Sequence, residues 1–459
     1  MAAKVRVRAQ QSKRGKARAR KQTSRPPVYF RSLSLENVRC FGPRQTLQLS
    51  DATGRPARWT VILGNNGLGK TTLLQALTLF EPEPVLVNGE THYFDRSLSL
   101  LVTAGHFRNA LRHQAKQAWL RAELDPGALD AANRSRGEPI GLVCTFGGET
   151  HGASQGTTEP IGELVCYGYG ATRRLGSGSL STPSGPSSNN SLFFEDVPLR
   201  NAEEWLLQAD YASSKQARHQ GGARARRDRI KQLLCDLLPE VKDLRFSPPD
   251  KQFSAAHVEV QTPYGWVAMR DLSLGYRTLI AWMVDFASRL FERYPDSANP
   301  LAEPAVVLVD EIDLHLHPTW QRQLIGHLSE KFPNTQFIVT AHSPLVVQSA
   351  QDANIVVLRR EGDHVVIDND VESIRGWRVD QILTSDLFGL ESARPPQLEP
   401  LLQERTRLLS KSRLTARDRA RLQELEAAIG PLPTGETPTE REALEFIQRT
   451  AKRLKGERT

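Results

Sequence analysis

Residues 59–63 (WTVIL) run without interruption into Gly64-Asn65-Asn66-Gly67-Leu68-Gly69-Lys70-Thr71, and Thr72–Phe80 (TLLQALTLF) then space their apolar side chains as a helix does. The first segment is short, continuous and β-rich, the pattern of a strand buried on both faces. A buried strand, a glycine-rich loop and a helix in that order commit this part of the chain to an α/β fold. The loop matches G-x-x-x-x-G-K-[ST] at each fixed position. Its glycines let backbone N–H groups converge on phosphate oxygens, and the helix N-terminus adds positive potential. Lys70 then reaches the terminal phosphates, the Thr71 hydroxyl can ligate Mg²⁺, and Gly64 through Thr72 form the candidate ATP-binding set. A chance glycine-rich turn is the competing reading, and the flanking strand and helix argue against it.

Three further segments place chemistry near that loop. Val306–Asp313 (VVLVDEID) ends a continuous apolar run in Asp310-Glu311. There Asp310 can enter the Mg²⁺ shell and Glu311 can polarise the attacking water. Two exposed carboxylates at a strand end are the blander alternative, which loses force behind a phosphate loop. His342 follows the apolar run 336–340 (QFIVT), so its imidazole falls at the carboxyl edge of the same sheet, where doubly wound proteins hold ligands. It can contact the γ-phosphate or position the water; an ordinary polar histidine is the alternative. Leu272-Ser273-Leu274-Gly275 precedes a strongly apolar helix expected over 278–291. Ser273 and Gly275 there make either an anion-binding N-terminus or a plain cap.

The remaining chain is read more coarsely. Residues 28–49 suggest a β-hairpin, and 258–260 with 266–269 a second. Between residues 82 and 245 the pattern is irregular: a helix is expected at 107–124, strands at 140–146 and 163–169, a flexible Gly/Ser/Pro/Asn loop at 176–191, and helices at 201–212 and 226–238. The last of these is entered through Arg224, Arg226, Arg227 and Arg229. Helices are expected at 400–410, 415–429 and 439–454, the second opened by a Thr415/Asp418 capping box and stopped by Gly430-Pro431. The domain reading is a basic tail (1–27), the first part of the head (28–95), a mixed α/β insertion or lid (96–245), the second part of the head (246–390) and a helical C-terminal appendage (391–459). Strands alternating with helices imply a mostly parallel sheet.

A GxxGxGKT loop, an LSxG helix start, DE after a strand and a later His, in that order, resemble the ABC-type P-loop ATPases. Within them the chain is similar to the RecF/SMC branch rather than to transporters. Leu308–Trp320 (LVDEIDLHLHPTW) and Phe337–Pro344 (FIVTAHSP) look most like ATPases related to the overcoming-lysogenisation-defect nucleases and to the Septu defence ATPase. Leu33–Phe41 (LSLENVRCF) resembles their opening strand, and Tyr167–Arg173 (YGYGATR) a segment also found there. The resemblance implies that Ser273 and Gly275 complete the ATP site of a second head, so that ATP binding closes a homodimer or higher oligomer and hydrolysis reopens it. Family members also use a Gln-containing loop, and 167–174 offers no Gln for it. His315 and His317 invite a metal reading, but an i, i+2 pair faces one way only on extended backbone, and the resemblance makes this stretch a dimer-contact loop.

Charge narrows the partners. The chain has 459 residues, a formal charge of +8, 39% hydrophobic and 24% charged residues, ordinary for about two to four soluble domains. Ten Lys and Arg stand before Pro26 with no acid among them, and removing them takes the charge from +8 to −2. That tail, expected to be disordered, and the Arg224–Arg229 cluster are the candidates for sequence-independent DNA or RNA contact; a solvated face is the alternative. Cys40, Cys144, Cys166 and Cys235 have neither zinc nor disulfide spacing. No apolar run spans a bilayer and no leader pattern follows the basic start, so a cytoplasmic protein without a membrane partner is expected, an organellar transit peptide being the lesser reading. Absent heptads exclude long coiled-coil arms, and an absent acidic cluster after His342 disfavours a fused nuclease. The function expected is ATP hydrolysis that controls a separate effector, such as a nuclease in anti-phage defence. A RecF-like repair ATPase, an ATP-clamped scaffold and, more distantly, a transporter subunit are the alternatives.

Overall fold

The computed structural model describes residues 27–80, 82–87, 90–95, 110–127, 129, 139–146, 164–176, 188–214 and 220–430, less 250, 252, 372, 373, 391 and 412. The basic tail up to residue 26, most of the expected flexible loop (177–187) and the expected helix 439–454 lie outside the described residues. The chain divides into two compact units, Met1–Gly376 and Trp377–Thr459.

In the first unit, β1 (Val28–Glu36) and β2 (Gln45–Gln48) form the expected antiparallel hairpin. Strand β3 (Trp59–Leu63) leads to α1 (Lys70–Thr78), and β4 (Pro82–Val87) pairs with β5 (Glu90–Asp95). Next come β6 (Ala118–Pro126), β7 (Ile140–Phe146) and β8 (Cys166–Tyr169). Two helices follow, α2 (Ala202–Ser214) and α3 (Gln220–Leu237), then a three-stranded antiparallel sheet of β9 (Asp243–Ser247), β10 (His257–Thr262) and β11 (Gly265–Ala268). The unit ends with α4 (Leu274–Arg293), β12 (Ala305–Val309), α5 (Pro318–Lys331), β13 (Thr335–Thr340), α6 (Pro344–Ser349), β14 (Asn354–Glu361) and β15 (His364–Asp368).

The central sheet has the order β15-β14-β3-β13-β12-β8 and is parallel except for β15 at its edge. Every residue of β3, β12 and β13 is buried, because both faces are covered. Alternation along the strands divides the load. Ile62, Val306, Leu308 and Ile338 join one core with α1 and the inner residues of β1 and β6. On the opposite face Trp59 stacks on Phe337, its partner across the ladder, at 4.3 Å between ring centroids. Phe332, after α5, lies 4.8 Å from Phe286 of α4 and closes that layer. Each such buried ring contributes about 2–3 kcal/mol by burial.

One expectation is overturned. Residues 118–124 are strand β6, not the end of a helix, and 111–117 are not helical either. Ala118, Leu120, Ala122 and Leu124 point inward in strict alternation, and β6 pairs with β1 across about ninety residues of sequence. Strands β6 and β7, within the stretch read as an insertion, thus extend the first hairpin into a sheet ordered β2-β1-β6-β7. The end of the expected flexible loop is also structured: Ser188–Leu192 is a 3-10 turn, and Gln75 of α1 donates to the Leu192 carbonyl at 2.6 Å.

The second unit comprises α7 (Val379–Leu383), α8 (Glu399–Leu409) and α9 (Ala416–Ile429). The latter two share a small core of Leu408, Leu422 and Leu425. The Thr415/Asp418 capping box is present, with Asp418 N–H donating to Thr415 Oγ1 at 3.2 Å and Thr415 N–H to Asp418 Oδ2 at 3.0 Å. No helix among the described residues is long and apolar enough to cross a membrane.

Candidate nucleotide site

The phosphate loop joins the carboxyl end of β3 to the start of α1. Gly69 caps α1 with φ +84°, and a Cβ there would lie 2.6 Å from Cys40 Sγ and 2.8 Å from Phe41 Cε2. Only glycine satisfies both the left-handed backbone and the space. Lys70 is turned inward, its Nζ donating to the Gly64 and Asn65 carbonyls at 2.7 and 3.0 Å. Burial lowers the Lys70 pKa, opposed by the nearby Asp310, Glu311 and Asp313 carboxylates.

Two strands away, β12 delivers Asp310, 5% exposed, to the same place. Its carboxylate accepts from the Thr71 hydroxyl at 2.7 Å and from the Thr340 hydroxyl at 2.6 Å, while Thr340 Oγ1 accepts from Glu311 N–H at 2.7 Å. A continuous chain of hydrogen bonds therefore links the phosphate loop, both acids and the end of β13. Asn66, Gly67, Lys70, Thr71, Asp310 and Glu311 line a cleft of about 420 Å³. Thr71 and Asp310 present adjacent hard oxygen donors, which suit Mg²⁺.

His342, beyond β13, is exposed, and its backbone N–H donates to both Asp313 oxygens at 3.2 and 3.3 Å. Gln321 of α5 braces this corner, donating to the Leu316 carbonyl at 2.9 Å and accepting from the Ser343 hydroxyl at 2.6 Å. Ser273 is the N-cap of α4, exposed, with no side-chain capping bond. Buried Gly275 lets the His315 carbonyl approach to 2.4 Å from where a Cβ would sit, so the LSxG turn packs on the loop after Glu311. Neither Ser273 nor Gly275 lines the cleft. His315 and His317 join no group of three or more metal-binding side chains among the described residues; His317 Nδ1 accepts from Thr319 N–H at 3.3 Å as a helix cap.

Several residues at the site carry no motif chemistry of their own and were marked only by the resemblance of the stretches that hold them, LSLENVRCF for Arg39 and Cys40. Arg39 and Cys40 line the cleft, Arg39 donating to Thr72 Oγ1 and Gln75 Oε1 at 3.1 and 3.0 Å. Arg173 lies 2% exposed beneath Asp310 and Glu311. Only the YGYGATR resemblance marked its neighbourhood in advance.

Two family models match: an AAA domain over residues 32–80, and an AAA domain described as putative AbiEii toxin, type IV TA system, over residues 186–348. The Septu protein PtuA of Bacillus mycoides (strain KBAB4) is 27% identical over 396 residues, which cover 82% of this chain and 47% of that protein. The retron Ec83 probable ATPase of Escherichia coli is 36% identical over 158 residues, covering 34% of this chain and 28% of that one. The SMC head domain from Thermotoga maritima aligns at 16% identity with a TM-score of 0.40, covering 75% of this chain and 99% of that one. The chain spans about half the length of the first relative, or less for the second. With a phosphate loop, a strand-end acid pair and an LSxG helix start on one parallel-sheet head, the chain carries two AAA-domain matches and is similar to the Septu protein PtuA and to the retron Ec83 probable ATPase.

Proposed function

We propose that two copies of this head bind MgATP between them, hydrolyse it, and use the cycle to control a separate effector in anti-phage defence. The observation that carries the hydrolytic part is the Thr71–Asp310–Thr340–Glu311 chain of hydrogen bonds, at 2.7, 2.6 and 2.7 Å. It supports the reading because the Thr71 and Asp310 oxygens lie side by side at the phosphate loop and Glu311 lines the same cleft. Mg²⁺, when held by Thr71 and Asp310, neutralises charge on the phosphates. Lys70 leaves its loop carbonyls to meet the phosphate oxygens. Glu311 accepts a proton from water as the water oxygen bonds to the γ-phosphorus and the bond to the ADP oxygen breaks. His342, exposed beside Asp313 and outside the residues that line the cleft, is in this reading the group that contacts the γ-phosphate or that water once nucleotide is bound.

Dimerisation is supported by the exposed, uncapped Ser273 and by Leu274, 50% exposed beside it. Both lie outside their own chain's cleft, as a surface that serves another copy would. Likeness to the Septu protein and the retron probable ATPase supports the defence setting, and the separate effector is part of the proposal. ATP binding and turnover by Lys70→Ala and Glu311→Gln test the reading, with and without duplex DNA. Lys70→Ala is expected to lose nucleotide affinity. Glu311→Gln should keep affinity and lose about 100-fold or more in turnover. Full hydrolysis by both variants would sink the proposal, and strong stimulation by duplex DNA would favour the RecF-like repair reading.

A further inference from the structure

Glu311 stands at a point where no sheet ladder holds the chain. Strand β12 ends at Val309, and residue 311 takes φ +47°, a left-handed conformation that is strained for a non-glycine residue and persists only where its surroundings hold it. Its N–H is fixed by Thr340 Oγ1. Its carbonyl accepts from Leu314 N–H at 3.0 Å within the following turn and from Arg173, whose Nη2 donates to Glu311 O at 2.9 Å while Nη1 donates to Asp310 O and, at 3.4 Å, to Gly170 O.

Arg173 is unusual in being a wholly buried arginine. It has no carboxylate partner within ion-pair distance among the described residues, and its Nε has no hydrogen-bond partner. Burial pushes its pKa down to about 10, against the pull of Asp310, Asp313 and Glu311, so it stays charged at neutral pH. Burying a cation against backbone carbonyls carries a desolvation cost that a leucine would not. Arg173 reaches this position from the turn after β8 with φ +34°, itself a strained backbone. Two strained residues and a buried charge converge on one peptide, and the geometry they secure is that of the cleft carboxylate.

We propose that Arg173 is a positioning residue: its guanidinium, donating to the carbonyls of Asp310 and Glu311, holds residue 311 left-handed so that its carboxylate faces the nucleotide cleft. Lysine keeps the charge but cannot supply the planar fork that spans two successive carbonyls. The kinetic test rests on the hydrolysis reading; a structural one does not.

In steady-state ATPase assays, Arg173→Lys is expected to lower kcat about 10- to 100-fold, the size of a small misplacement of a reacting group, with ATP affinity within about threefold. In a Glu311→Gln background the same substitution should lower residual turnover by less than about twofold, because the two act through one carboxylate. Wild-type kcat in Arg173→Lys, equal losses of kcat and affinity, or multiplying losses in the double variant would each overturn the proposal. Should Arg173→Lys not fold, Arg173→Gln carries the same readouts. A crystal structure of the folded variant decides the matter without catalysis: residue 311 should leave the left-handed region, and its retention there overturns the assignment. An inactive wild-type protein whose variant shows that shift would refute the hydrolysis reading and leave the positioning role standing.

Discussion

At Gly69 the sequence dictates the structure almost completely, since the phosphate-loop pattern names the position and the backbone at φ +84° accepts nothing else. Gly69→Ala is expected to lower unfolding free energy by about 2–3 kcal/mol in urea, through left-handed strain and the displacement of Cys40 and Phe41, and to abolish ATP binding. A loss below about 0.5 kcal/mol with ATP binding intact would contradict this. The same legibility holds for Lys70, Thr71, Asp310 and Glu311, whose types and spacing reflect local chemistry. It fails for Thr340 and Arg173. Their hydrogen bonds to Asp310 span 30 and 137 residues of sequence, and nothing in the side-chain type of either residue announces the partner. Only the folded sheet, which sets β12 between β13 and β8, brings them together.

Elements were legible where burial is symmetrical and missed where pairing is non-local. Continuous apolar runs marked β3, β12 and β13, and apolar spacing marked α4, which starts at Leu274 rather than 278. Residues 118–124 alternate as a strand should, yet alanines and charges gave them helical character, and pairing with β1 decided the matter. How α4 is tied to the sheet was likewise hidden. Asp285, fully buried on α4, accepts from Tyr169 Oη of β8 at 2.9 Å, from Arg289 Nε at 2.7 Å and from Arg200 N–H at 3.2 Å. Burial lowers the Arg289 pKa, but the Asp285 carboxylate more than offsets this and raises it. Tyr169 in turn gives its carbonyl to Asp310 N–H at 2.8 Å. The network thus couples the helix that begins at Ser273 to the strand that ends at Asp310. Asp285→Ala, which removes the shared acceptor of Tyr169, Arg200 and the half-buried Arg289, should lower unfolding free energy by about 3–5 kcal/mol; a change under about 1 kcal/mol would mean the network bears little of the fold.

Across the whole molecule, charge and chemistry separate. The +8 of the chain arises from ten basic residues before Pro26, whereas the nucleotide chemistry sits on a body near −2. On the described part of α3, Arg227 is already paired with Asp210 and Asp228, and Arg224 with Asp228, so this cluster offers less free charge than its sequence suggests. Deleting residues 1–27 should therefore weaken binding to a duplex DNA oligonucleotide and flatten its salt dependence, with basal ATP hydrolysis unchanged. Loss of hydrolysis on deletion would show that the tail belongs to the head.

The division of the site between two copies is tested most directly by mixing two separately inactive proteins, Lys70→Ala and Ser273→Arg. Each alone has two defective sites, whereas a mixed dimer pairs one intact phosphate loop with one intact LSxG turn. Recovery of ATP hydrolysis on mixing, up to about a quarter of the wild-type rate for random pairing at equal concentrations, is the expected result. A mixture that stays inactive, or a Ser273→Arg protein that hydrolyses ATP at the wild-type rate by itself, would contradict a site shared between heads.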